Sequence, residues 1–312
     1  MMSRLEVSRR RFLWTASPWL GLALFPNIAE AIPTQNSELS DGQLKELQAN
    51  LLAMINEERS VAQVPVLAMD DLASRVAAGH ALDMAKGKFA SHWGSDGRKP
   101  YQRYSLAGGT HATEENVSSA NNTWSLKPAD IAQDVAYLHV RLYSETPPND
   151  GHRRTILAPQ HTHVGFGIAI AELRLRVVEL FVAKHVDIDH ITQRAKPGAT
   201  IEVAGRLLNP GYMLAQIEVF YELPPRPPQL AWLQAPRPYS LPDESITLRP
   251  RLRPPRMYAD GSRGIIESDG SYFRTLVTLF KDSPGIYTIA CWLQRSNTEK
   301  PFIATLICIQ AE

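Results

Sequence analysis

The sequence reads as α+β in its first half and all-β in its second, on three grounds. Up to about residue 190, apolar residues recur at three- and four-residue spacing in some segments and in short β-branched runs in others. Beyond residue 190 the helical period disappears, and short strand-like runs follow one another between Gly, Pro, Asn and Asp turn signals. The first thirty or so residues fit neither pattern and read as an export signal. The expected organisation is a signal peptide over 1–31, an α+β domain over 40–190 and a β-sandwich accessory domain over 191–312.

Within the leader, Ser8-Arg9-Arg10-Arg11-Phe12-Leu13 matches the twin-arginine consensus, with Arg9, Arg10, Phe12 and Leu13 as its marking residues. A weakly apolar run from Trp14 to Phe25, interrupted by Pro18, leads to Ala29-Glu30-Ala31, a small-x-small cleavage site. The run is shorter than the roughly 20 apolar residues a spanning helix needs, so no transmembrane segment is expected after cleavage. The expected destination is the periplasm or the exterior. Cleavage removes four arginines and two glutamates, so the formal charge falls by two, from +1 to −1. A near-neutral mature chain has no electrostatic footprint for nucleic acid.

In the first half, Leu44, Leu47, Leu51, Met54 and Ile55 share one helical face after a Ser40-Asp41 start signal. A second helix follows Asp70-Asp71, with Leu72, Val76, Ala77 and Met84 inward and Gly87 as its expected C-cap glycine. A third runs from Ile131 to Tyr143 and is stopped by Pro147-Pro148. The runs "HVGFGIAIAE" and "RLRVVELFVAKHV", separated by Glu172-Leu173, read as a hairpin. Gly108-Gly109 makes a turn before the segment of Glu115 and lacks the lysine of a phosphate loop.

In the second half, "ATIEVAGRLL", "LAQIEVFYEL", "SITLRPRL", "SYFRTLVTLF", "GIYTIACWL" and "FIATLICIQ" are strand candidates, a pattern that fits an immunoglobulin-like sandwich. Residues 224–255 hold ten of the 23 prolines and are expected to form edge strands and extended connections. Trp232, Tyr239 and Ile246 give that region something to bury. Cys291 and Cys308 are the only cysteines. Two readings stand for them, a pair of buried thiols or a cross-strand disulfide.

Several separated segments carry chemistry-bearing residues in a familiar order. "INEERSVAQVPVLAMDDLASRVAAGHALDMAKGKFASHWGSDGRKPYQRY", then "TEENV", then "NDGHRRTILAPQHTHVGFG" resemble the CAP superfamily, named for cysteine-rich secretory, antigen 5 and pathogenesis-related proteins. The likeness is to its bacterial, SCP-like extracellular branch and covers roughly residues 44 to 186. It implies a CAP-type α-β-α sandwich with a cleft lined by two histidines and two acids, which in some members holds zinc or another divalent ion. On this sequence His92 falls on the first histidine, Glu115 on the first acid and His152 on the second histidine. Glu145 is the candidate for the second acid, with Asp150 as competitor. The cysteines and the aromatic His-Tyr-Thr-Gln motif of eukaryotic members are absent, so toxin or channel-blocking roles are not implied.

Read as chemistry, two imidazoles and two carboxylates in a polar cleft suit a divalent ion with water completing the shell. They equally suit a metal-free network in which each carboxylate fixes a tautomer. His161 and His163 share one face of a strand start and read as solvated. His80 reads as a half-buried packing residue, and His111, His139, His185 and His190 as surface or packing residues. Ser91, beside His92, is the one hydroxyl offered to a covalent route, and there is neither a G-x-S-x-G elbow nor an H-E-x-x-H helix. Three functions stand in competition. One is a non-enzymatic binding module for a small or lipid-like ligand or a cell-surface component. The others are a metal-assisted hydrolase of peptides or envelope esters, and a structural envelope protein.

Overall fold

The computed structural model describes residues 39–312 apart from 122, 124 and 297, so the twin-arginine motif and the cleavage site lie outside the described residues. α1 (Asp41–Val61) begins as its sequence dictates. Ser40 accepts the Gln43 N–H while the Gln43 side chain accepts the Ser40 N–H, closing a capping box. After β1 (Ala68–Met69), Asp70 caps α2 (Asp71–Gly87) by accepting the Ala73 N–H at 2.6 Å. The left-handed cap expected of Gly87 falls one residue later, on Lys88 at φ 60°. α3 (Pro100–Leu106) and β2 (Ala112–Asn121) follow, joined through a turn with Gly108 at φ 101°.

α4 (Pro128–Tyr143) is the third expected helix, begun by proline at its first position. The "HRRTIL" turn is a helix, α5 (Gly151–Leu157). β3 (His163–Ala171) and β4 (Arg174–Ala183) form the expected hairpin, its two turn residues Glu172 and Leu173 at φ 48° and 60°.

The four strands lie in the order β1-β3-β4-β2, which leaves β2 at an edge. Alternation along β3 explains the three layers. Val164, Phe166, Ile168 and Ile170 enter the core under α1, α4 and α5, while Ala169 and Ala171 meet α2 on the other face. Small residues there bring α2 close: a Cβ on Gly167 would stand 2.1 Å from the Ala77 backbone.

The second half is a two-sheet sandwich. Its strands are β5 (Val186–Ile188), β6 (Arg194–Ala195), β7 (Thr200–Leu207), β8 (Met213–Glu222), β9 (Ser245–Leu248), β10 (Glu267–Ser268), β11 (Tyr272–Thr278), β12 (Gly285–Gln294), β13 (Phe302–Ile303) and β14 (Ile307–Ala311). One sheet runs β10-β11-β7-β5 and the other β6-β14-β12-β8-β9, with β13 beside β12. Between them lies a core that includes Val203, Ile217, Phe273, Tyr287 and Ile289. β6 pairs in parallel with β14 and the remaining pairs are antiparallel. The order is that of an immunoglobulin-like sandwich.

β12 also explains how the halves join. Its residues 287, 289, 291 and 293 face the sandwich core, whereas Ile286 and Ala290 face a cluster shared with Tyr101 and Leu106 of α3. Glu222 accepts hydrogen bonds from Lys99, Tyr101 and Gln102 across this seam. The cysteines follow the same alternation. Cys291 lies between the sheets and Cys308 lies toward α3, so the two thiols are free, buried and on opposite faces. Burial pushes each up to about 12.

The proline-rich segment contains a short helix, α6 (Leu230–Leu233), and the edge strand β9. It reaches back across the first half: Leu233 is buried against the α2 layer, and Trp232 packs edge-on against Trp93 at 5.3 Å.

Candidate functional site

The site forms around the edge strand β2. Because neighbouring residues on a strand face opposite ways, Glu115 points to the α2 and α3 side and Asn116 to the α4 and α5 side. On the first side, the loop after α2 presents His92, whose Nδ1 lies 3.0 Å from Glu115 Oε1. Arg103 on α3 donates to Glu115 Oε2 at 2.6 Å and to the His92 carbonyl at 2.9 Å, so one guanidinium fixes both members of the couple. Glu115 is 4 % exposed, and burial alone would push its carboxyl up. Arg103 and the neighbouring histidines outweigh that and hold it down at about 2.

On the second side, His152 sits in the first turn of α5. Its Nδ1 lies 2.6 Å from Glu145 Oε1, and its backbone N–H donates to Glu145 Oε2 at 3.0 Å. Asp150, the competing acid, instead pairs with Arg154 at 3.3 Å. The His92 and His152 rings stand 6.5 Å apart, centre to centre. Both stay reachable, their side chains 18 % and 34 % exposed.

In both couples a carboxylate accepts from Nδ1, which leaves Nε2 as the ring nitrogen with a free lone pair. The residues therefore fit an ion held through the two Nε2 atoms, with Glu115 and Glu145 behind the rings. Among the described residues no three His, Cys, Asp or Glu side chains converge as a ligand set. Such an ion would have two protein donors and would take the rest of its shell from water or a bound ligand.

Three neighbours carry no signal in the sequence. Tyr239, from the proline-rich segment, accepts the Glu115 N–H at 2.9 Å and lays its ring 4.9 Å from that of His92. Arg103 is brought to Glu115, half-buried, by a helix too short to show a period. His80 is a correction: it is 2 % exposed, its Nε2 donates to the Ser91 carbonyl at 2.8 Å, and it stands 3.9 Å from Glu115. Burial, reinforced by Arg103, pulls His80 down to about 3, so it is neutral at pH 7.

One further expectation changes and another is narrowed. His161 is 2 % exposed and bonded to the Thr155 carbonyl, because the turn before β3 folds under α5 and not into solvent. His139 is fully buried between two carboxylates. Ser91 is 8 % exposed, and its hydroxyl accepts the Trp93 N–H, which ties it into the loop.

The sequence profile of the cysteine-rich secretory protein family (CAP) matches residues 52–181. A comparison with curated proteins found no match. Among solved structures, an extracellular SCP-domain protein of Bacillus anthracis aligns at 22 % identity and a TM-score of 0.34, covering 47 % of this chain and 44 % of that one. This chain thus spans less than half the length of that protein. An outer surface protein of Borrelia burgdorferi aligns at 18 % identity and a TM-score of 0.35, over 47 % of this chain and 98 % of its own. The CAP domain of enterococcal PrgA aligns at 15 % and 0.34, over 47 % and 64 %. Residues 52–181, which hold His92, Glu115, Glu145 and His152, thus form a domain of the CAP family within this chain.

Proposed function

We propose that the protein is exported and acts as a non-enzymatic binding module, with His92 and His152 presented to a small or lipid-like ligand and a divalent ion, zinc above all, as an optional bridge. The pairing of each ring with its own carboxylate carries this reading. A carboxylate behind an imidazole fixes the tautomer and raises the basicity of the outward nitrogen. Two such nitrogens make a weak site with open positions, which suits exchangeable ligand binding. A recess of about 360 Å³ beside His152, walled by Ser118, Leu138, Arg141 and Leu142, gives a ligand room. When bound, the ion supplies Lewis acidity. Burial of Ser91, 8 % exposed, supports binding over covalent catalysis.

Zinc calorimetry on the mature protein tests the reading. His92→Ala and His152→Ala are each expected to lower affinity at least about 100-fold, and Glu145→Gln by about 10–100-fold, the usual cost of losing a carboxylate behind a ligand histidine. Variants that bind zinc as the parent does would remove the bridge from the account.

Export rests on the motif at Arg9 and Arg10. Lysine at both positions is expected to hold the precursor in the cytoplasm, as read by cell fractionation. Unchanged export of that variant would point to another route.

A further inference from the structure

We propose that a second ligand site lies at the seam between the CAP layers and the sandwich, and that it takes a small molecule with an apolar body and an ammonium head. A cavity of about 540 Å³ opens there, within the range usual for small-molecule sites. Its walls come from both halves: Tyr101 of α3, Leu241 of the proline-rich segment, and Trp292, Phe302, Ile303 and Leu306 of the sandwich. Aromatic walls receive both hydrocarbon and a cation.

The polar end is set by Glu114 and His161. Glu114 precedes Glu115 on β2 and so faces away from the His92–Glu115 couple, toward Thr155 of α5. His161 is 2 % exposed, and its Nδ1 lies 3.0 Å from the Thr155 carbonyl. A carbonyl only accepts, so Nδ1 carries the hydrogen and Nε2 is a bare acceptor. That Nε2 stands 3.8 Å from Glu114 Oε2, whose one hydrogen bond comes from the Thr155 hydroxyl at 3.3 Å.

A buried acceptor, His161 Nε2, and a half-exposed carboxylate thus converge at the end of an apolar cavity. Burial pulls His161 down to about 3, so the ring does not supply the missing proton. An ammonium donates to both atoms and carries the charge that Glu114 lacks nearby. Lys300, exposed at the mouth, is the one lining cation that opposes it.

Calorimetric titration with octylamine, octanol and octanoate separates head-group chemistry on one hydrocarbon body. Octylamine is expected to bind at least tenfold tighter than octanol, and octanoate more weakly than either. Glu114→Gln, at a half-exposed side chain, is expected to cost octylamine at least tenfold while leaving octanol within about twofold. Lys300→Ala is expected to tighten octylamine. Octanol or octanoate binding tightest, all three binding alike, none binding at millimolar concentration, or an octylamine affinity indifferent to Glu114→Gln would each overturn the proposal. Tyr239 lines this cavity as well as touching His92, but neither His92 nor His152 lines it, so His152→Ala is expected to leave octylamine affinity unchanged, which keeps the two readings separately testable.

Discussion

Replacing His139 by alanine is expected to destabilise the protein by about 3–5 kcal/mol at pH 7, the cost of stripping one partner from a buried ion pair. α4 holds His139 at 0 % exposure, with Nδ1 2.7 Å from Glu179 Oε1 and Nε2 3.0 Å from Glu58 Oε2. Carboxylate oxygens accept, so both ring nitrogens must carry hydrogen and the ring is an imidazolium. Burial alone would pull its pKa down, but Glu179 and Glu58 outweigh that and push it up to about 10. Without the ring, Glu179 remains fully buried with only the Asn116 amide, at 3.2 Å, as its side-chain partner.

The pH dependence follows in sign. The folded value lies above the unfolded one of about 6.5, so the contribution is complete below about 6.5 and is lost as pH rises through about 10. Urea denaturation of the parent between pH 7 and 10 is expected to show falling stability. In His139→Ala that slope is expected to flatten. A parent whose stability holds level across that range, or a variant as stable as the parent, would contradict the assignment.

Arg59→Met is expected to cost roughly 2–6 kcal/mol, taking about 1–3 kcal/mol for each of the two buried carbonyls, of Ile156 and His161, left without its donor. Arg59 is 0 % exposed at the end of α1. Its Nε donates to the Pro65 carbonyl at 2.7 Å, Nη1 to Ile156 at 2.5 Å and Ala158 at 3.1 Å, and Nη2 to His161 at 3.3 Å. One planar fork therefore ties α1 to the end of α5 and to the turn before β3. Burial pulls the guanidinium down to about 10, which still leaves it charged at pH 7. Methionine keeps most of the stem volume and removes the donors, so the loss reads as hydrogen bonding and not as a cavity. Because α5 carries His152, the variant is also expected to bind zinc more weakly, and hydrogen exchange is expected to quicken through residues 151–157. Arg59→Lys is expected to recover only part of the loss, since one ammonium does not span four carbonyls.

Both groups had a signal in the sequence that spacing alone makes visible. Arg59 follows Leu47, Leu51 and Ile55 at four-residue steps, and His139 lies one turn beyond Val135, so each sits on the buried stripe of its helix. A charged residue on such a stripe is worth asking a partner for. Their partners were not legible, because Glu58 and Glu179 lie 81 and 40 residues from His139. The long helices and the β3-β4 hairpin were legible from period and turn chemistry. α3 and α5, at seven residues each, are too short to show a period. β2 hid for a different reason: its inward positions include Thr113, Glu115 and Asn116, so the strand that carries the site shows no apolar alternation. Family motifs, and not periodicity, supplied His92, Glu115 and His152. Tyr239 stands 124 residues from Glu115, and only the return of the proline-rich segment across the first half brings it to the cleft.

The most direct test of the central claim, that two carboxylate-backed imidazoles turn their Nε2 atoms outward to share a ligand or ion, is nitrogen-15 NMR of the histidine rings during zinc titration. His92 and His152 are both expected to carry hydrogen on Nδ1 and a bare Nε2, and both Nε2 resonances to move together at one zinc equivalent. A hydrogen on Nε2 of either ring, or a response from one ring while the other stays still, would contradict it.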